Sequence, residues 1–289
     1  MSTAVTGAQQ ATAPAPPGSK PGIFRRVRAS ASRWLPPLIF AVGFLAVWQL
    51  YATYSGVPES SLPSPTEIFQ AMVADRALLA ENAWVTIQEI ALGYLAAVFV
   101  GVGLAVLIWS SRTIERAVYP WLVVSQMVPV PAIAPIIVIW TGFDIRPKII
   151  VIALVSFFPI AVNTIDGLKA ADPEMDDLLK TLGASRWKRF RTADFPAALP
   201  FIFSGLRVAA ALSVIGAVFA EWVGSSAGLG YLILSFNNQT ATAEMFAAVI
   251  VLALIGLALF AFVGILQRIC IPWYHDARFE DPDMEPEGL

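Results

Sequence analysis

Residues 167–196 read GLKAADPEMDDLLKTLGASRWKRFRTADFP. Asp172-Pro173-Glu174 is a helix start, with an N-cap, a preset φ at the first position and an acid favoured by the helix dipole. Met175, Leu178, Leu179 and Leu182 recur at i, i+3, i+4 and i+7 and lay down one apolar stripe. Gly183 permits the left-handed turn that ends this helix, and Ser185 can cap a second one. The spacing predicts a short helix, a glycine corner and another short helix. Lys180, Arg186, Lys188 and Arg189 are expected to ring the apolar ridge. Such a segment is too long, basic and amphipathic to be a mere connector.

On either side of it the chain is fatty. Of 289 residues, 57% are hydrophobic and 14% are charged, against about 25% charged in an ordinary soluble domain. Mean hydropathy is +0.68. No charge occurs in residues 34–58, 90–111, 117–143, 149–165 or 245–267, and between Asp194 and Glu221 the only one is Arg207. A helix rising 1.5 Å per residue crosses the hydrocarbon layer in about 20 residues. The pattern predicts an all-α membrane protein with six transmembrane helices, Lys148 snorkelling to the interface beside the short fourth span. The first apolar run exceeds the roughly 7–15-residue core of a signal peptide, and no small-x-small cleavage site follows it, so a retained helix is expected.

Lysine and arginine set the orientation. With the N-terminus inside, inner segments hold fifteen of the 19 Lys and Arg, and outer segments hold Arg76, Arg146 and Lys148. The positive-inside rule therefore predicts that both termini are cytoplasmic. The net charge of −2 gives no basic balance for nucleic acid. One cysteine (Cys270) and one histidine (His275) exclude a disulfide framework and a Cys/His zinc cluster, and leave no spare His for Ser–His or Cys–His catalysis. The chain lacks a G-x-x-x-x-G-K phosphate loop; Gly183 to Lys188 is the nearest run and misses the second glycine. No cofactor and no chemistry of its own are expected, and any ATP hydrolysis belongs to a separate chain.

Other features are local. Ser64-Pro65-Thr66-Glu67 is a capping box with proline at the first helical position, predicting a surface helix through Ile68, Met72 and Leu78. Pro129, Pro131 and Pro135 must break the third span. Gly93, Gly101, Gly103, Gly205, Ala209, Ala210, Gly216 and Ala220 permit close helix approach within the subunit. Arg207, about 16 Å along its helix from Pro196, either lines a translocation pathway or ties helices together. Gln126 and Asn163 raise the same pair of alternatives. Glu221 is expected in the solvated interface at the outer end of span five.

The 167–196 stretch resembles the EAA loop of permease subunits of bacterial ATP-binding-cassette importers, whose pattern is E-A-A-x3-G-x9-I-x-L-P. Aligned on Gly183, Asp177-Leu178-Leu179 occupy the E-A-A slots, Ala193 the I slot and Phe195-Pro196 the L-P slots. Leu62-Pro63-Ser64-Pro65, Val128-Pro129-Val130-Pro131, Phe157-Phe158-Pro159-Ile160, Gly205-Leu206-Arg207 and Gly228-Leu229-Gly230-Tyr231 extend the likeness over roughly residues 60–274. Together they look like the sulfonate/taurine/nitrate permease group. The run from Glu221 to Gly228 and Phe246-Ala247-Ala248 look closer to its thiamine-pyrimidine and riboflavin branch.

The resemblance implies a type I importer permease fold with a cytoplasmic coupling helix, in a bacterial inner membrane. It implies pairing with a second permease copy as a homodimer, with ATP-binding-cassette ATPase subunits, with an extracytoplasmic substrate-binding protein and with the lipid bilayer. Glu174, Met175, Asp177, Leu178, Leu179, Leu182, Gly183, Ala184 and Arg186 would couple to the ATPase. The expected layout is a basic tail (1–33), a first transmembrane helix (34–58), an external loop with an interfacial helix (59–89), a permease core (90–268) carrying the coupling loop, and an acidic cytoplasmic tail (269–289). An ion-coupled secondary transporter is the alternative; it would need acids within the spans.

Overall fold

The computed structural model describes residues 23–273, with side chains from Leu35 onward. The expected N-terminal tail up to residue 22, the expected acidic C-terminal tail from residue 274 and His275 lie outside the described residues. Two units separate. The first contains α1 (Ile23–Tyr54), which begins before the expected boundary at residue 34 and carries Pro36 and Pro37 within it. Its segment Leu35–Tyr54 is long and apolar enough to span a bilayer.

The second unit, from Gly56 onward, holds the remaining helices. They are α2 (Pro65–Ala74), α3 (Arg76–Ser110), α4 (Arg112–Ser125), α5 (Val130–Thr141), α6 (Arg146–Lys169), α7 (Pro173–Thr181), α8 (Arg186–Arg189), α9 (Phe195–Trp222), α10 (Leu229–Asn238) and α11 (Thr242–Cys270). A π-helical turn, Phe190–Asp194, joins α8 to α9. Among the described residues five helices are long and apolar enough to cross a membrane, and six spans result if α4 and α5 count as one.

The core of this unit is α6, packed most extensively against α9 and α3. The approach is close because side chains are missing at the crossings. A methyl group placed on Gly205 would stand 2.7 Å from the Pro159 carbonyl, and one on Gly101 would stand 2.8 Å from the Phe157 carbonyl. Gly93 and Gly216 receive Ile152 in the same way, and Ala209 and Ala210 are fully buried. Gly103 differs, with open space around it. Around these crossings Tyr94, Ile108, Ile160, Ile165, Phe203 and Val263 form one buried apolar cluster.

The prolines break the third span as expected, but not all of them take part. The chain turns by 99° between α4 and α5. The break lies at Pro129, which lacks an N–H and forces Val128 out of the helical region, with Pro131 in the first turn of α5 where a missing N–H costs nothing. Pro135 is carried inside α5 without ending it.

The helix after the Ser64 capping box forms as expected: the Ser64 hydroxyl accepts from Glu67 N, and Glu67 accepts from Ser64 N at 2.7 Å. It stops at Ala74, so Leu78 falls on α3. Ile68 is buried, and α2 packs against α11. The next helix starts at Arg76, well before residue 90, and so takes Glu81 and Glu89 into its length.

Replacing Gly205 with Val should lower the stability of the solubilised chain by at least the roughly 1–3 kcal/mol of an overpacked core. Gly103→Ala, which meets open space, should leave the melting temperature unchanged or slightly raised. Thermal unfolding followed by circular dichroism distinguishes the two.

Candidate functional site

The elbow forms as its sequence predicts. Asp172 caps α7, its Oδ1 accepting from Glu174 N at 2.9 Å. At the other end Gly183 takes φ +74°. There Ala184 N donates to the Leu179 carbonyl and Gly183 N to the Lys180 carbonyl, both at 2.9 Å. This is the paired bonding that satisfies the last carbonyls of a helix through a left-handed residue. Ser185 then caps α8 by accepting from Lys188 N. Every named turn is therefore local chemistry.

Charges hold the elbow together from within. Arg189 reaches back across the corner to Asp176 at 2.6 Å, and Lys180 contacts Asp176 and Asp177 at 2.9 Å each. Arg186 donates to the Ser110 carbonyl at the end of α3 and lies over the Trp109 ring. Phe190, buried, stacks on Trp187 and meets Trp109 at a tilt. Lys169 at the end of α6 pairs with Glu115 of α4 at 2.5 Å. A polar hollow of about 620 Å³, lined by Arg112, Lys169, Asp176, Arg189 and Asp194 among others, lies beneath the elbow. Ion pairs and rings, rather than a continuous apolar core, fasten this element.

The ring of free charges expected around the ridge is thus corrected. Lys180, Arg186 and Arg189 are all engaged, not free: Lys180 pairs with Asp176 and Asp177 of its own helix and stays exposed, Arg186 lies exposed against Ser110 and Trp109 of α3, and Arg189, half-buried, takes Asp176 across the folded corner. Lys188 is exposed. The apolar ridge does face outward: Leu178 is 54% exposed and Leu182 73%, with Met175 also exposed and Leu179 half-buried. Trp187, 67% exposed, lies beyond the corner and stacks on Phe190. Glu174, Asp177 and Gly183 are exposed beside it, and Ala184 is half-buried. Sequence reasoning missed Trp187 and the Asp176–Arg189 tie. An indole four residues beyond the corner glycine was the available signal for the first; the second had none.

The three polar residues considered for a pathway stand at three different places. Gln126 is exposed at the break after α4. Asn163 donates to the Pro159 carbonyl of its own helix at 2.8 Å, and its Cβ faces Gly205 of α9. Arg207 lies between α9 and α11, its guanidinium 5.7 Å from the Phe260 ring centre and close to Gly264.

At the end of α9 away from the elbow is a second polar cluster. Glu221 was expected in solvated interface; it is 1% exposed. Its Oε1 accepts from the Thr86 hydroxyl at 2.7 Å, and its Oε2 accepts from Gly230 N at 2.5 Å and Tyr231 N at 3.3 Å. Thr86 accepts from Leu229 N and Asn82 from Gly228 N, each at 2.8 Å. Four successive N–H groups at the start of α10, which its own helix cannot satisfy, are therefore taken by side chains of α3 and α9. Lys148 does not snorkel. It pairs with buried Glu89 at 2.6 Å. Both departures have one cause: each side chain finds buried hydrogen-bond partners on another helix, and those partners replace solvation.

The elbow's electrostatics give a pH test. Hydrogen bonds from Lys180 and Arg189, with the charge of both, hold the Asp176 carboxyl below the usual carboxylate range. Such a group stabilises the fold above its unfolded pKa, near 4, and loses that contribution as pH falls through the folded value. Acidification below about pH 4 should raise amide exchange in residues 173–189. Asp176→Asn should show the raised exchange already at neutral pH and gain little more in acid.

Comparison with known proteins places this architecture. Residues 92–275 match the family described as binding-protein-dependent transport system inner membrane component. The formylaminopyrimidine transport permease ThiX of Halalkalibacterium halodurans is 37% identical over 240 residues, covering 83% of this chain and 96% of that one. The riboflavin transport system permease RibX of Chloroflexus aurantiacus is 35% identical, covering 79% and 86%. The putative aliphatic sulfonates transport permease SsuC of Bacillus subtilis is 30% identical, covering 83% and 88%. The crystal structure of an amino acid ABC transporter with histidines superposes with a TM-score of 0.55 at 18% identity, over 70% of this chain and 96% of that one, and shares the fold. An all-helical bundle with a broken third span and an elbow before its penultimate long helix, matched over this length, makes the chain a member of the family of inner-membrane components of binding-protein-dependent transport systems, a multi-pass permease of the ABC importer class.

Proposed function

We propose that this chain is the membrane-spanning subunit of an ATP-driven importer for a small polar solute, and that it receives force from separate ATPase subunits through the elbow. The observation that carries the reading is the exposed apolar ridge of Met175, Leu178 and Leu182 on an element otherwise closed by its own ion pairs. Apolar side chains held this far into solvent by a rigid corner are suited to enter a groove on another protein. Lys188 at the edge would steer the encounter more than set its affinity.

The mechanism follows from how the elbow is tied. A pull on α7 passes through Asp176 to Arg189, and from Arg186 to the end of α3 at Ser110. It also passes along the π-helical turn directly into α9. Two of the helices at the core of the bundle would then move with it. A second copy of the chain, docked on the partner ATPase, would move oppositely, and rocking of the two would alternate access. The Lys and Arg distribution supports a cytoplasmic side for the elbow and both termini. The external side would receive a substrate-binding protein.

For the solute, a pyrimidine or flavin precursor is favoured over a sulfonate- or nitrate-like anion. The relatives with 35–37% identity over most of the chain are named for formylaminopyrimidine and riboflavin, and those named for sulfonates and nitrate fall at 28–30%. Calorimetry of the partner binding protein against pyrimidines, flavins, sulfonates and nitrate decides it; binding of the anions alone reverses the preference.

Leu178→Asp combined with Leu182→Asp, both on exposed positions, should abolish co-purification of the ATPase while the chain still inserts. A normal yield of the complex overturns docking through the ridge. Gly183→Val should cost about 1–2 kcal/mol at the left-handed corner and lose uptake without losing membrane insertion. Unchanged uptake would show that the corner does not transmit force.

A further inference from the structure

The cluster at the far end of α9 has more acid than its donors account for. Glu89 and Glu221 are both 1% exposed, and Glu89 lies one helical turn along α3 from Thr86, whose hydroxyl donates to Glu221. Both oxygens of Glu221 are supplied, by the Thr86 hydroxyl and by the N–H groups of Gly230 and Tyr231. Glu89 Oε1 is supplied by Lys148. Glu89 Oε2 is buried with no donor among the described residues. Among the described residues the cluster therefore sets two buried carboxyls against one lysine, and one buried oxygen of Glu89 has nothing to accept.

Among the described residues the neighbouring elements bring no second cation. α6 contributes Lys148, while Arg146 is exposed and pairs with Asp144. α10 contributes backbone N–H groups and Tyr231. The acids of α2 and α11, Glu67 and Glu244, line a separate hollow with Glu59, and Glu81 of α3 is exposed. Two adjacent buried carboxyls against one cation cannot both ionise without a large penalty.

We propose that Glu89 and Glu221 hold one proton between them, and that this proton closes a clasp fastening the start of α10 to α3 and α9. The shared proton gives Glu89 Oε2 its hydrogen bond and leaves the pair with one negative charge, matched by Lys148. When it leaves to solvent, two anions face each other. Glu221 has no room to shift within the cluster, because Gly228 and Gly230 are already tightly placed against its carboxyl. Relief comes from Glu221 leaving the site and releasing the N–H groups of Gly230 and Tyr231. The clasp is thus a proton-binding site whose occupancy sets whether α10 is fastened; it does not depend on the transport reading.

Hydrogen exchange of residues 226–236, measured on the full chain in lipid nanodiscs and corrected for base catalysis, tests it. In the wild type the opening constant should rise about tenfold per pH unit once the shared proton is lost. Glu89→Gln puts a permanent N–H where the orphan oxygen is and keeps an oxygen for Lys148, so its protection should persist at alkaline pH. Glu221→Ala should be unprotected at every pH. Wild-type protection that does not change with pH, Glu89→Gln opening together with the wild type, or Glu221→Ala remaining protected each overturns the proposal. Should Glu89→Gln fail to accumulate, infrared spectra carry the test. A protonated-carboxyl band at neutral pH that Glu221→Gln lacks supports the shared proton, and its absence from the wild type overturns it.

Discussion

The constraint on which the second unit depends is the distance at which α6 can lie against α3 and α9. Between apolar helices in lipid there is little hydrophobic drive to associate, so stability comes from backbone approach and packing. Gly93, Gly101, Gly205 and Gly216 give that approach by having nothing to interpose. Once α6 is seated, the ends of three helices are placed. Ser110 and Trp109 come within reach of Arg186, and Lys148 within reach of Glu89. Both polar clusters are consequences of one apolar packing.

α9 joins those clusters mechanically. It runs without a break from Phe195, immediately after the elbow, to Trp222, next to Glu221. At 1.5 Å per residue its 28 residues span roughly 42 Å. The elbow at one end is exposed and held by ion pairs at a surface, while the cluster at the other end is buried and fully enclosed by α3, α6 and α10. A helix gripped at both ends in this way carries a displacement from one to the other instead of absorbing it locally. The broken third span is outside this line of force; its 99° turn at Pro129 leaves α4 and α5 as two short pieces.

Much of the elbow was legible because its devices are local. Asp172, Pro173, Gly183 and Ser185 each act on backbone groups within a few residues, so the capping pattern and the apolar period of Met175, Leu178 and Leu182 translate directly into α7, the corner and α8. The same holds for Ser64 and Glu67. Reading failed where a side chain's fate depends on something far away. Glu221 looks like an interfacial acid until Thr86, 135 positions earlier, is brought beside it. Arg186 and Arg189 look like solvated rim charges until the corner turns them onto Ser110 and Asp176. The early start of α3 was hidden for a related reason, since Glu89 breaks a charge-free run yet is neutralised by a lysine 59 positions on.

By itself the amino-acid sequence determined that this chain is a helical membrane protein, where α2, α7 and α8 are capped and the Gly183 corner turns, and that an amphipathic elbow precedes its penultimate long helix. These follow from hydropathy, periodicity and hydrogen bonds between near neighbours. Only the tertiary structure decided which charges face water and which satisfy one another, and therefore which surface is left for a partner. A buried charge is stable only beside its counterpart, and those counterparts come from other helices whose spacing is set by the glycine crossings.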